Sequence, residues 1–191
     1  MHVVLRSNMI METKRLILRP WSLDDASSLY KYAQDPAVGP IAGWPPHTSV
    51  ENSREVIRAI FSTPEIYAVV LKQNSEPVGC INILLHERLH STQMGNNDAE
   101  IGYWLGVPYW GQGLIPEAMI RILARCFEEL NVQNVWGGYF DGNRNSRRVL
   151  EKCGFAFLHT ENNVVTPMGG LRTAHYMKLS VDAWLKFQKN K

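Results

Sequence analysis

Two stretches of this sequence combine residue types that can do chemistry at a spacing that lets them act together. The first is Glu100-Ile-Gly-Tyr-Trp-Leu-Gly-Val-Pro-Tyr-Trp-Gly-Gln-Gly-Leu-Ile-Pro-Glu-Ala118, a strand pattern, a glycine loop and a helix start. Glycines let a backbone come close to a ligand. The helix that follows offers unpaired N–H groups and the positive end of its dipole, which suits a phosphate or pyrophosphate. A Walker loop is excluded because no Gly-Lys-Ser/Thr follows, and the dinucleotide spacing Gly-x-Gly-x-x-Gly fails at Pro116. A glycine-rich turn with no ligand is the alternative reading of the same residues. The second stretch is Asn143-x-x-Ser146, followed by Glu151-Lys-Cys-Gly154-Phe155. Standing alone it is explained by capping, with Asn143 as the helix cap and Ser146 in the first turn.

Together the two stretches carry more. Trp110-Gly-Gln-Gly-x-x-x-Glu117-Ala, then about thirty residues later Asn143-x-x-Ser146-x-x-x-Leu150-Glu-Lys-x-Gly154-Phe155, resembles the GNAT acetyltransferase superfamily. The RimJ/RimL-like branch is the nearer match, and Glu12-Thr-Lys-Arg-Leu-Ile-Leu-Arg-Pro20 and Glu100-Ile-Gly-Tyr-Trp-Leu105 look like that branch too. The resemblance spans residues 12 to about 180 and implies a GNAT fold with acetyl-CoA as co-substrate. By position, the pyrophosphate would rest on the backbone amides of Trp110, Gly111, Gln112, Gly113, Leu114 and Ile115. Leu105 and Val107 would line the pantetheine arm through their backbone, and Asn143 would contact it. Two slots depart from the common pattern: Trp110 stands in the first, and Ile115 in the last, where a small residue is usual and a β-branched one is expected to narrow the pyrophosphate pocket.

The implied reaction is direct attack of a primary amine on the acetyl thioester. An alkyl ammonium has a pKa of about 10.4, so a base or a water path must take a proton. The thiolate leaves with a pKa near ~8.5, so a donor close to sulfur helps. Many GNAT members use a tyrosine seven residues after the motif asparagine; here that slot is Leu150. Ser146 is then the donor by position, with a plain helix-turn hydroxyl as its alternative role. Glu100 matches a glutamate of this branch that can act through water, the alternative being a solvated strand carboxylate, and Asp98 is a weaker candidate. His47 lies in a loop that faces the acceptor in this fold; His86 and His90 border a polar loop and read as surface residues. The acceptor is a protein N-terminus or a small-molecule amine. A non-catalytic acyl-CoA-binding module and a nucleotide-binding protein are the rival readings, the second disfavoured by the missing loop lysine.

Positioning these residues requires an α+β architecture: a mixed, mostly antiparallel central sheet of six or seven strands flanked by helices. Lys14–Arg19 reads as a short strand stopped by Pro20, and Ser22-Leu-Asp-Asp25 as a capping box opening a helix. Pro36, Gly39, Pro40, Gly43, Pro45 and Pro46 break the next stretch into a loop, and Thr48-x-x-Glu51 opens a second helix. Ile66–Lys72 and Val78–Leu85 form a hairpin. Ala99–Leu105 is a strand, and Ile115, Met119, Ile122, Leu123, Cys126, Phe127 and Leu130 make a full helical stripe. A strand over Asn134–Phe140, a helix over Asn143–Cys153 and strands over Phe155–His159 and Leu171–Leu179 follow. Alternation sends Tyr103 and Trp104 to opposite faces of their strand. Residues 1–11 are expected to be a flexible lead-in, with Met11 an alternative start, 12–180 the acetyltransferase domain, and 181–191 a short terminal helix capped by Ser180.

The whole chain bounds these readings. It has 191 residues, 20 Lys+Arg against 18 Asp+Glu, and 45% hydrophobic content, which fits one globular domain. The net charge of +2, with basic residues scattered, argues against a nucleic-acid partner. The three cysteines, Cys80, Cys126 and Cys153, have no metal-ligand spacing, so no metal is expected, and unpaired they suit a reducing, cytoplasmic setting. No apolar run approaches the ~18 residues of a membrane span. A monomer or a homodimer is expected.

Overall fold

The computed structural model describes residues 9–85, 91 and 93–189. The expected lead-in up to residue 8, and His86 and His90, lie outside the described residues. In chain order come β1 (Met11–Glu12), β2 (Leu16–Arg19), α1 (Ala26–Ala33), α2 (Gly39–Ala42), α3 (Val50–Val56), β3 (Ile66–Leu71), β4 (Pro77–Leu85) and β5 (Asp98–Leu105). Then follow α4 (Leu114–Ala124), β6 (Asn134–Phe140), α5 (Arg144–Lys152), β7 (Ala156–Val165), β8 (Leu171–Ser180) and α6 (Val181–Lys189).

All eight strands join one sheet in the order β1-β2-β3-β4-β5-β6-β8-β7. The count rises above the expected six or seven because Met11, read as the end of the lead-in, and Glu12 pair with Leu18 and Ile17. Every pairing is antiparallel except β5 with β6, which run parallel. That exception builds the site. The parallel pair is in register only at Asp98↔Asn134, Ala99↔Val135 and Glu100↔Trp136, although β5 continues to Leu105 and β6 to Phe140. Beyond Glu100 the two strands splay and leave a cleft through the sheet.

Period-two alternation feeds cores on both faces, with a smaller third cluster of Trp136, Ala174 and Tyr176. On one face α1 and α3 bury Ala26, Leu29, Ala33 and Ile57 against Ala68, Val70 and Cys80. On the other, α4, α5 and α6 bury Met119, Ile122, Leu150 and Trp184 against Leu18, Val69, Ile81 and Ile101. Each such side chain contributes about 1.5–3 kcal/mol on burial. Ser22 and Asp25 form the expected capping box before α1. Ser49 rather than Thr48 caps α3, its side chain accepting from the Asn52 N–H. Helix α4 relaxes into a π-helical turn over Arg125–Glu129, which brings Arg125 to Glu65 at the mouth of β3. The Arg125 Nε and Nη2 donate to that carboxylate at 2.8 and 2.5 Å, and Tyr67 adds its hydroxyl at 2.6 Å. Both ions are buried, so removing either partner would cost about 3–5 kcal/mol.

Candidate active site

The splay between β5 and β6 opens into a cavity of about 910 Å³. Tyr103 and Trp104, from opposite faces of β5, both line it, so it passes from one side of the sheet to the other. One end is walled by Trp110, Gly111, Gly113, Leu114 and Ile115 and by Asn143, Ser146 and Val149 of α5. Pro40, Ile41 and Ala42 of α2 and Arg172 of β8 close over the other. Arg144, Arg148, Lys152 and Arg172 are the charged residues of the lining, and no carboxylate appears among its described residues. A chain of nearly balanced charge thus presents a cationic cleft.

The glycine loop is shaped as a cradle. Gly111 and Gly113 hold φ of +76° and +74°, a left-handed conformation that favours glycine. A Cβ on Gly111 would meet nothing within 4 Å, and one on Gly113 only Arg15 Nη2 at 3.8 Å. The space before both glycines is therefore open. Helix α4 starts at Leu114, whose N–H and that of Ile115 lack intrahelical acceptors. Arg15 clamps the loop from β2's approach: its Nε donates to Glu117 at 2.6 Å and its Nη1 to the Gln112 carbonyl at 3.0 Å. Thr13 adds its hydroxyl to Glu117 at 2.6 Å. Burial pushes the Glu117 carboxyl up, but the bonds from Thr13 and Arg15 outweigh it and hold it below the usual range. Arg15 escaped sequence reasoning because it lies about a hundred residues from its loop.

Gln112 and Val107 do not line the cavity. The Gln112 side chain turns back to donate to the Pro108 carbonyl at 3.0 Å. Leu105 lines it, but its carbonyl accepts from the Trp110 indole at 2.7 Å. Ile115 borders the cavity while its side chain is buried in the main core, so its branch does not lie across the cradle as expected. Behind the loop, Tyr109 meets Tyr32 at 3.1 Å, and Tyr32 donates to Glu76 at 2.7 Å.

Asn143 caps α5, its Oδ1 accepting from the Ser146 N–H at 3.1 Å. Ser146 Oγ lies 2.8 Å from Tyr103 Oη, which also donates to the Ser146 carbonyl at 3.0 Å. Burial pushes the Tyr103 phenol well above its usual range, although the Ser146 bond pulls the other way. Leu150, in the slot where many family members have a tyrosine, is buried and packed under Gly137, and the Tyr103 hydroxyl reaches the same helix from β5. Only strand parity, which puts Tyr103 on the α5 side, could have hinted at it.

Glu100 occupies the closed end of the splay, buried on the face opposite Ser146 and outside the cavity lining. Asp98 is fully engaged, accepting from the Trp136 indole, the Asn134 amide and the Gly95 N–H at 2.8, 2.8 and 3.0 Å. That sets Asp98 aside as a base. His47 also has a local task. Its Nδ1 meets Ser53 Oγ at 2.7 Å, its ring packs on Trp44, and burial lowers its pKa. It does not line the cavity. Among the described residues, no group of three or more His, Cys, Asp or Glu is arranged to hold a metal ion, and no helix is long and apolar enough to cross a membrane.

Known proteins share this fold. Residues 15–156 match the family model described as an acetyltransferase (GNAT) domain. The uncharacterized N-acetyltransferase p20 of Bacillus licheniformis is 28% identical over 148 residues, which cover 75% of this chain and 80% of that protein. The solved ribosomal-protein-S5-alanine acetyltransferase of Vibrio fischeri superposes with a TM-score of 0.69 at 18% identity, covering 93% of this chain and 99% of that one. The structure of AAC(6')-Ib in complex with ribostamycin and coenzyme A gives a TM-score of 0.71 at 17% identity over 93% of this chain and 100% of that one. At such identities the two structures speak for the fold. The family match, which runs over residues 15–156 and so over most of the chain, makes this protein a member of the GNAT acetyltransferase family.

Proposed function

We propose that the protein is an N-acetyltransferase that moves the acetyl group of acetyl-CoA to a primary amine by direct attack. The observation that carries this reading is the cleft itself: cationic, entered over the Gly111–Gly113 cradle, and lined by Tyr103, Trp104 and Leu105 of β5 beyond the point where β5 and β6 part. Acetyl-CoA would supply the activated acetyl thioester. The amides from Trp110 to Ile115 would hold its pyrophosphate, favoured by the helix dipole of α4 and the nearby Arg15 guanidinium. The unpaired edge of β5 past Glu100 would take the pantetheine arm, with Asn143 alongside. Glu100, on the far face, would take the proton of the attacking amine directly or through a water. Ser146, backed by Tyr103, would donate to the departing thiolate.

Within the family we place the chain on the RimJ/RimL-like branch, on its opening and strand motifs and its likeness to the Vibrio fischeri enzyme. A protein N-terminus and a small-molecule amine both fit as acceptor, and the three buried cysteines, none of them in a disulfide, suit a cytoplasmic location. The test is calorimetric titration with acetyl-CoA followed by a thiol-release assay over a short unblocked peptide, spermidine, lysine and an aminoglycoside. Saturable binding with amine-dependent release is expected. Binding without release from any amine would instead identify an acyl-CoA-binding module.

A further inference from the structure

Strand β6 carries adjacent glycines, Gly137 and Gly138, in its interior, where glycine marks a close approach. They serve opposite faces. Gly137 admits Leu150 on the cofactor side. Gly138 clears the other side: a Cβ there would stand 3.2 Å from Tyr176 Cε1 and 3.7 Å from Glu100 Oε1. A phenol from β8 and a carboxylate from β5 therefore converge over one glycine of the strand between them.

Tyr176 is only 3% exposed. Its ring is fixed by stacking on His159 (centroids 5.1 Å apart, planes at 21°) and by an edge contact with Trp136 at 6.5 Å. A buried tyrosine hydroxyl ordinarily finds a partner. This one has no hydrogen-bond partner among the described residues. Several polar groups of that face are engaged with one another. Asp98 is held by Trp136 and Asn134, Glu161 by Ser91 and His159, and Lys178 lies over the Trp136 ring.

We propose that Tyr176 binds the acceptor amine beside Glu100, an assignment that rests on the acetyl-transfer reading above. The amine donates one N–H to the Tyr176 oxygen, which turns its lone pair toward the thioester. The ammonium proton passes to Glu100, directly or through a water, and from there to solvent. The nitrogen then bonds to the acetyl carbon as the C–S bond breaks. The proton shed on amide formation is matched by the one the thiolate takes up.

Tyr176→Phe keeps the ring and both stacking contacts and removes only the hydroxyl. With the panel amine that the wild type acetylates, kcat/KM for the amine is expected to fall about 10- to 100-fold, the effect of losing a hydrogen bond to a charged or reacting group. Acetyl-CoA affinity and melting temperature should not change. Gly138→Ala, which wedges a methyl between ring and carboxylate, should lower the same ratio and spare acetyl-CoA binding. A Tyr176→Phe enzyme with wild-type kcat/KM overturns the assignment, as does one whose acetyl-CoA affinity and melting temperature fall along with its rate, which marks a structural tyrosine. A wild type that fails to bind acetyl-CoA or to acetylate any amine overturns the transfer reading itself, an outcome visible before either variant is made.

Discussion

A single methyl group is enough to probe the cradle. Gly111→Ala adds a Cβ that meets no protein atom within 4 Å, so the protein itself has room for it. Its φ of +76° makes alanine cost about 1–2 kcal/mol of stability. If phosphate oxygens occupy that space, acetyl-CoA affinity should fall at least tenfold while the protein still melts cooperatively, only earlier; unchanged affinity by calorimetry would take the loop out of the cofactor site. The Ser146–Tyr103 pair separates chemistry from capping. Losing a proton donor costs typically about 10²–10⁴-fold in rate, whereas the cap of α5 belongs to Asn143 and survives Ser146→Ala. That variant should therefore lose at least tenfold in turnover with a small change in melting temperature. Tyr103→Phe should show a milder loss of the same kind, because Ser146 can still donate without its partner. Full turnover by both variants would mean that the thiolate takes its proton from solvent.

At the scale of elements, legibility followed local signals. The stripe of α4 and the glycine loop were readable because period, proline and glycine act within a few residues. Strand β7 was read to end at His159 but runs to Val165. Its polar run Thr160-Glu-Asn-Asn163 is mostly exposed, with one irregularity in register inside it and another just before it, so no alternation announces it. The short α2 was hidden in a Pro/Gly loop because tertiary contacts hold it: Arg172 donates to the Pro40 carbonyl at 2.9 Å and stacks on Phe140. His47 closes the same segment, its N–H donating to the Ala33 carbonyl at 3.0 Å. Burial lowers the His47 pKa below its unfolded value, so in acid the unfolded chain binds the extra proton first and stability falls as pH drops below about 6.5. His47→Asn, able to keep the Ser53 contact, should flatten that part of the melting-temperature profile without altering acetyl transfer. A profile identical to wild type would show that the ring takes up its proton in the native state as readily as in the unfolded chain.

Across the whole molecule, the family was legible and the assembly of its site was not. The motifs placed the cradle and α5 in the sequence, but they could not show that β5 and β6 part just past Glu100, which follows from the pairing of strands distant in the chain. For the same reason Arg15, Tyr103 and Tyr176 carried no signal of their own, and Glu100 and Ser146, named together from motifs, come to lie on opposite faces of one sheet. The balanced net charge also concealed a cleft whose charged lining is wholly basic. On the proposed reading the cofactor enters this cleft from one face of the sheet and the amine from the other. Following labelled acetyl from acetyl-CoA into an amine, with wild type and Glu100→Gln side by side across pH, tests this most directly. The account predicts label on the amine nitrogen with wild type, and for Glu100→Gln at least tenfold slower transfer, no acidic limb in the pH profile and unchanged acetyl-CoA affinity. Label appearing only as free acetate, or a Glu100→Gln enzyme with the wild-type rate and profile, would contradict it.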